Sequence, residues 1–290
     1  THPNIPKEET AKEASLMAHI GTTAYYAERE LDTLLYENTG LYRNKQYQKA
    51  NTIILQTMYE EIAILWNQEV KYRQNFSVNE NNVNLPVLYA KVSGVKDGNI
   101  SEYWVSIKKL LSKESLWFCS TDGEKSMVSS NFKRNSFSYI TSEDFQIGMD
   151  AITQFFKNGK LQKNKIKAHK EYSYGFLREE MQEHILDKLQ LLIEQRLIKG
   201  TFENGTEYTI IAVALNMKKE ILRLIQTFDF TKINPKFVYI HTTEENLSLE
   251  DSILMAFLNL LGFDIVFFVP TGYRTVEKYY NKKSEKNTQS

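Results

Sequence analysis

The chain has 290 residues, 42 % of them apolar and 25 % charged, a balance that suits a folded protein with a sizeable core and excludes a disordered one. Its 36 Lys and Arg cancel its 36 Asp and Glu, so no global field draws it to nucleic acid or to an anionic membrane. The single cysteine, Cys119, excludes an internal disulfide framework and a Cys-rich zinc site, and fits a reducing, cytoplasmic setting.

The opening "THPNIPKEETAKE" has no apolar core of signal-peptide type. Residues 7–37 read as a helix, with Leu16, Ile20, Tyr25, Leu31, Leu34 and Leu35 at roughly helical spacing, closed by Asn38-Thr39-Gly40. "LYRNKQYQKAN" (41–51) gathers Arg43, Asn44, Gln46 and Tyr47, either as a polar hand on a substrate or as a solvated connection. Leu55, Met58, Tyr59, Ile62, Leu65 and Trp66 then predict a second amphipathic helix, and "SVNENNVN" (77–84) a loop. "PVLYAKV" (86–92) predicts a strand and "SGVKDGN" a turn. A helix capped at Asn99 or Ser101 follows, carrying Tyr103, Trp104, Ile107, Leu110 and Leu111. "LWFCS" (116–120) completes a strand–helix–strand unit.

The middle differs. Residues 121–142 are rich in Ser and Asn, and helices are expected at 143–157, 176–198 and about 206–227. "KNGKLQKNKIKAHK" (157–170) holds six lysines. No aromatic interleaves with them, which favours a solvated basic connector over a nucleic-acid patch. From Pro235 the strand–helix–strand grammar returns: "KFVYIHTT", then a helix "LEDSILMAFLNLLGF" opened by Ser248-Leu249-Glu250-Asp251, which resembles a capping box with Asp251 where Glu or Gln is usual, and closed by Gly262, then "DIVFFV". That helix is apolar on nearly every side and should be covered on both faces. Asn259, Gly262 and Asp264 interrupt the apolar run too early for it to span a bilayer. The expectation is an α/β protein with Rossmann-like βαβ elements and a helical middle region. Its parts are 1–142 (helices and a small α/β element), 143–234 (helical), 235–281 (a βαβ element) and a 282–290 tail.

In parallel α/β sheets ligands bind beyond the carboxyl ends of the strands, where helix N-termini offer amides to anions. Thr271, Gly272, Tyr273 and Arg274 stand there after one strand, and Thr242, Thr243 and Glu244 after another. Gly272 would let an anion approach the backbone, Thr271 could donate a hydroxyl, and Arg274 could clamp in a fork. The alternative is a Pro-Thr-Gly turn that only ends a strand. Lys91 and Ser93, before Gly94, end the earlier strand in a comparable way and would share a cleft with the others if all belong to one sheet. His241 and Glu244 are the candidates for proton transfer. No GxGxxG, Walker-type loop or HExxH occurs, and the five histidines show no metal spacing, so no metal-ligating residue is singled out, no particular cofactor is named, and a nucleotide would have to be held by other means. His184 and Cys119 fit packing roles better than ligand or nucleophile roles.

Residues 43–76, 85–99, 172–190 and above all "FVYIHTTEENLSLEDSILMAFLNLLGFDIVFFVPTGYRTVEKYY" (237–280) resemble a bacterial YceG-like family. The family is regarded as a component of a biosynthetic module encoded beside tellurium-resistance and stress-response genes. The resemblance implies a stress-linked setting but carries over no catalytic residue; only Thr271, Gly272 and Tyr273 match the family's most recognisable turn. It also implies a longer chain, so this one is expected to be a fragment or truncated variant. Two functions follow as expectations. One is a group transferase, glycosyltransferase-like, that binds a phosphorylated or nucleotide-linked metabolite. The other is a non-catalytic adaptor assembling the proteins of the same gene cluster.

Overall fold

The structure is a computed structural model that describes residues 50–56, 59–78, 83–111, 115–119, 145–218, 221–222, 224–225, 234–241, 247–271 and 276–281. Five parallel strands form its centre: β1 (Ala50–Gln56), β3 (Val83–Ser93), β4 (Ser115–Cys119), β7 (Lys236–Ile240) and β8 (Asp264–Val269), ordered β1-β3-β8-β7-β4. A short β2 (Ser77–Val78) pairs antiparallel with the start of β3. The strands are rich in Val, Ile, Leu and Phe, and every residue of β7 and β8 is buried, as expected of parallel strands covered on both faces.

Alternation along these strands divides the core in two. Leu88, Ala90, Val92, Val238, Ile240, Val266 and Phe268 face one layer, made by α1 (Tyr59–Asn67) and α2 (Ile100–Leu110). Phe237, Tyr239, Ile265, Phe267 and Val269 face the other, made by α5 (Glu179–Glu194), α6 (Thr206–Leu215) and α7 (Leu249–Leu260). Right-handed crossovers account for the division. The connections through α1 and α2 step towards β4, whereas those from β4 to β7 and from β7 to β8 step back, so their helices lie on opposite faces.

The two sheet-forming helices start where their caps say they should. Asn99 Oδ1 accepts from the Glu102 amide at 3.1 Å, and Ser248 Oγ from the Asp251 amide at 3.0 Å. Gly262, at φ 102°, closes α7 in the left-handed conformation, and the Phe263 amide donates back to the Leu258 carbonyl. As its all-apolar surface predicts, α7 lies between the sheet and the helices α5 and α6.

Elsewhere the structure departs from the sequence reading. Ala50–Gln56 is a strand, so Leu55 belongs to β1 and the helix begins only at Tyr59. Residues 77–78 and 83–84, expected in a loop, are strand, paired as β2 and β3. In the middle, the expected helix at 143–157 shrinks to α3 (Met149–Ile152), followed by a hairpin of β5 (Phe156–Lys157) and β6 (Lys160–Leu161). Asn158 and Gly159 turn that hairpin with φ of 52° and 75°, the positive values a two-residue hairpin turn requires. The basic connector continues as α4 (Lys163–Lys167) and lies along the acidic side of α5. Lys160 pairs with Glu194, Lys163 with Glu183 and Asp187, and Lys167 with Glu179 and Glu183. The helix expected at 7–37, residues 41–49 of the polar 41–51 stretch and the Ser- and Asn-rich 121–142 lie outside the described residues.

Candidate functional site

The carboxyl ends of β3, β8 and β7 lie side by side. Ser93 is in register with Val269, the Gly94 amide donates to the Val269 carbonyl at 2.8 Å, and the His241 amide donates to the Phe268 carbonyl at 2.8 Å. Beyond this row the chain parts. After β3 it goes to the α2 layer, and after β8 it reaches Val276 and Tyr280 in the opposite layer. Open α/β sheets take ligands at the edge where the continuations of adjacent strands leave to opposite faces. Ser93 and Thr271 are exposed at this rim. Gly94, at φ +80°, has no heavy atom within 4 Å of where a Cβ would stand, so its backbone is open to close approach.

Strand alternation sends Tyr89 and Lys91 of β3, Phe267 of β8, and Tyr239 of β7, with His241 just past its end, to the same face. Lys91 and Tyr239 are both in register with Phe267. Lys91 Nζ lies 3.3 and 3.4 Å from the two carboxylate oxygens of Glu277. His241 is buried, its ring 6.1 Å from that of Tyr239. Tyr239 donates its hydroxyl to Asp251 Oδ2 at 2.7 Å. Burial pushes the Asp251 carboxyl up to about 6, against the opposing Tyr239 hydrogen bond. Tyr89 and Tyr280 share a 2.5 Å hydroxyl contact, and Tyr280 donates to the Ser252 carbonyl at 2.8 Å. Burial, foremost, holds both phenols protonated well above the ordinary tyrosine range. The rim therefore offers a cation, exposed hydroxyls and an approachable backbone, with the buried Asp251 carboxyl behind them.

Of the residues singled out from sequence, Lys91, Ser93, Thr271 and His241 come together at one edge of one sheet. Thr242, Thr243, Glu244, Gly272, Tyr273 and Arg274 lie outside the described residues. Sequence reading took Asp251 only as a cap residue. Its second role needs Tyr239 twelve positions back on the facing strand, and the alternation of "KFVYI" over a capped helix was the one available signal. Tyr89, Tyr280 and Glu277 were missed outright, because their contacts join segments 186 or more residues apart.

A second charged cluster sits at the other end of the strands. Arg73 forks onto Asp264, Nη1 to Oδ1 at 2.8 Å and Nη2 to Oδ2 at 2.7 Å, and also donates to the Pro86 carbonyl. Lys236 donates to Asp264 Oδ2 at 2.9 Å and to the Trp66 carbonyl at 2.5 Å. The Leu88 amide donates to Asp264 Oδ1. Burial alone would raise the Asp264 carboxyl, but the Arg73 and Lys236 charges hold it well below the usual carboxylate range. With side chains of Arg73 and Asp264 fully buried, this cluster clamps the fold and presents nothing to a ligand. Among the described residues no group of three His, Cys, Asp or Glu could hold a metal ion, and no helix is long and apolar enough to cross a membrane.

Residues 56–290 match the model of the YceG domain. The "Uncharacterized protein YceG" of Bacillus subtilis (strain 168) is 23 % identical over 282 residues, covering 95 % of this chain and 48 % of the relative. The chain thus spans about half the length of the curated relative it matches. No solved structure matches it.

Proposed function

The chain belongs to the YceG domain family, and on that premise we propose that it is a cytoplasmic component of a biosynthetic module for tellurite and toxic-anion resistance and stress response. In this reading it binds a phosphorylated or nucleotide-linked metabolite and acts as a group transferase. The observation that carries the proposal is the gathering of Lys91, Ser93, Thr271 and His241 at the carboxyl rim, where β3 and β8 diverge. Parallel strands with helices on both faces support a Rossmann-like reading, and sheets of that kind take anionic ligands at this edge. Lys91 and Arg274 would meet the anionic group, with the Thr242, Thr243 and Thr271 hydroxyls and the backbone around Gly272 and Tyr273 completing its cradle. On transfer, the bond from the moving group to its phosphate oxygen breaks, and an acceptor oxygen or nitrogen forms the new bond. The acceptor's proton passes to His241 or Glu244.

The test is a thermal-shift panel of nucleotides, sugar nucleotides, phosphate esters and tellurite on the intact chain. At least one should raise the melting temperature, and Arg274→Ala should abolish that rise while leaving the unliganded protein's melting temperature nearly unchanged. The competing adaptor reading draws support from Ile64, Ile100 and Val105, large apolar side chains exposed on or beside α1 and α2. No stabilisation by any ligand, together with co-purification of proteins encoded nearby, would replace the transferase with the adaptor.

A further inference from the structure

Lys91 is the described cation of the proposed site, and the protein already supplies it with an anion. The carboxylate comes from the segment Val276–Asn281, which is fastened to the fold by contacts that do not involve Lys91. The Lys199 amide donates to the Tyr279 carbonyl at 2.8 Å and the Asn281 amide to the Leu197 carbonyl at 2.9 Å, around a bridge between Ile198 and Tyr280. Tyr280 is further held by Tyr89 and the Ser252 carbonyl, and Val276 is buried. Glu277 is thus tethered beside Lys91 at high effective concentration.

The pair itself is loose. Both of its distances exceed 3.2 Å, whereas tight ammonium–carboxylate contacts run at about 2.7–2.9 Å. The forked Arg73–Asp264 pair of the same molecule meets that standard at 2.7 and 2.8 Å. Exposure is lopsided as well: the Lys91 side chain is 12 % exposed and that of Glu277 42 %. A carboxylate on the solvent side can swing out at little cost, and the ammonium it leaves can take up an arriving anion in its place.

We propose that Glu277 is an internal competitor for Lys91, standing in for the phosphate or carboxylate of the ligand and exchanging with it on binding. The inference rests on the anion-binding reading of the rim and adds its regulation: affinity is held down by a carboxylate of the chain's own. The exchange breaks one ion pair and makes another, with no covalent step.

Calorimetric titration of the intact chain with inorganic pyrophosphate and with ADP tests it. Glu277→Gln should tighten binding of at least one probe about fivefold or more. Lys91→Met should abolish binding, and the double variant should show no gain over Lys91→Met alone. Wild-type binding that Glu277→Gln leaves equal or weaker would overturn the competitor and spare the anion site. A gain that persists without Lys91 would also overturn it, since relief of general repulsion would then suffice. Binding of neither probe by wild type or Glu277→Gln overturns it too; the ligand panel then decides separately whether the rim binds anything.

Discussion

The two ends of the parallel strands use the same chemical groups for opposite purposes. At the amino end, Asp264 is enclosed by Arg73, Lys236 and the Leu88 amide, with short bonds and no exposure of the Arg73 or Asp264 side chains. At the carboxyl end, Lys91 and Glu277 meet at 3.3 Å with Glu277 half in water, and the buried Asp251 carboxyl accepts from the Tyr239 hydroxyl. A buried charge enclosed by short bonds fixes a fold; an ion pair held at longer range, with one partner half in water, leaves that partner able to give way to something that arrives. The clamp and the rim share β3 and β8, so the rigidity of one end can position the looseness of the other.

The largest effect should come from breaking the clamp. Asp264→Asn would leave Arg73 and Lys236 buried without the anion they share, a loss of about 3–5 kcal/mol that urea denaturation would read as a large drop in midpoint. If the variant unfolded with a midpoint near wild type, the clamp would be of no more consequence than a surface pair and the contrast between the two ends would collapse.

An intermediate effect separates the two carboxyls by pH. The folded state raises Asp251 from an ordinary value near 3.8 to about 6, so it binds a proton there that the unfolded chain has released. Its contribution is therefore fully present below the ordinary value and is lost as pH rises through about 6. Asp264, held low, behaves oppositely: its contribution is present above the ordinary value and is lost on acidification. His184, which burial and the neighbouring Lys188 charge bring down to about 3, also loses stability as pH falls, so the wild-type curve alone mixes these terms. The clean measurement is the stability of Asp251→Asn minus that of wild type. It should favour the variant by about 2 kcal/mol more near neutral pH than at about pH 4.5. A difference independent of pH would show that Asp251 is not the group that titrates.

What could be read from the chain follows the range of the forces involved. The cap at Ser248, the glycine stop at 262 and the strand cores within 86–92, 236–240 and 264–269 are written in neighbouring residues and were legible, and the other cap was narrowed to Asn99 or Ser101, of which the structure uses Asn99. β1 was not, because its short apolar run Ile53-Ile54-Leu55 precedes Tyr59 and Ile62 closely enough to imitate one helical face. The Asn158-Gly159 hairpin was legible in principle, but its lysine-rich surroundings drew attention to charge. The strand order and the Arg73–Asp264 clamp join residues up to 191 positions apart, and no local pattern encodes such a pairing. The rim itself was half legible: Lys91, Ser93, His241 and Thr271 could be placed at strand ends, while their adjacency required the β3–β8 pairing.

The smallest expected effect sharpens the comparison most directly, because it repeats the first experiment at the other end. Glu277→Gln removes one partner of an ion pair, as Asp264→Asn does, yet its charge is partly solvated and its partner lies at 3.3 Å. Such pairs contribute about 0–1 kcal/mol, and the amide can still accept a hydrogen bond from Lys91. The melting temperature should therefore move little, with the strap still held through Tyr280 and the 196–199 backbone. A loss approaching that of Asp264→Asn would mean that Lys91 depends on Glu277 structurally. The carboxyl rim would then be a second clamp, and its ammonium would be committed to the fold with nothing left to offer a ligand.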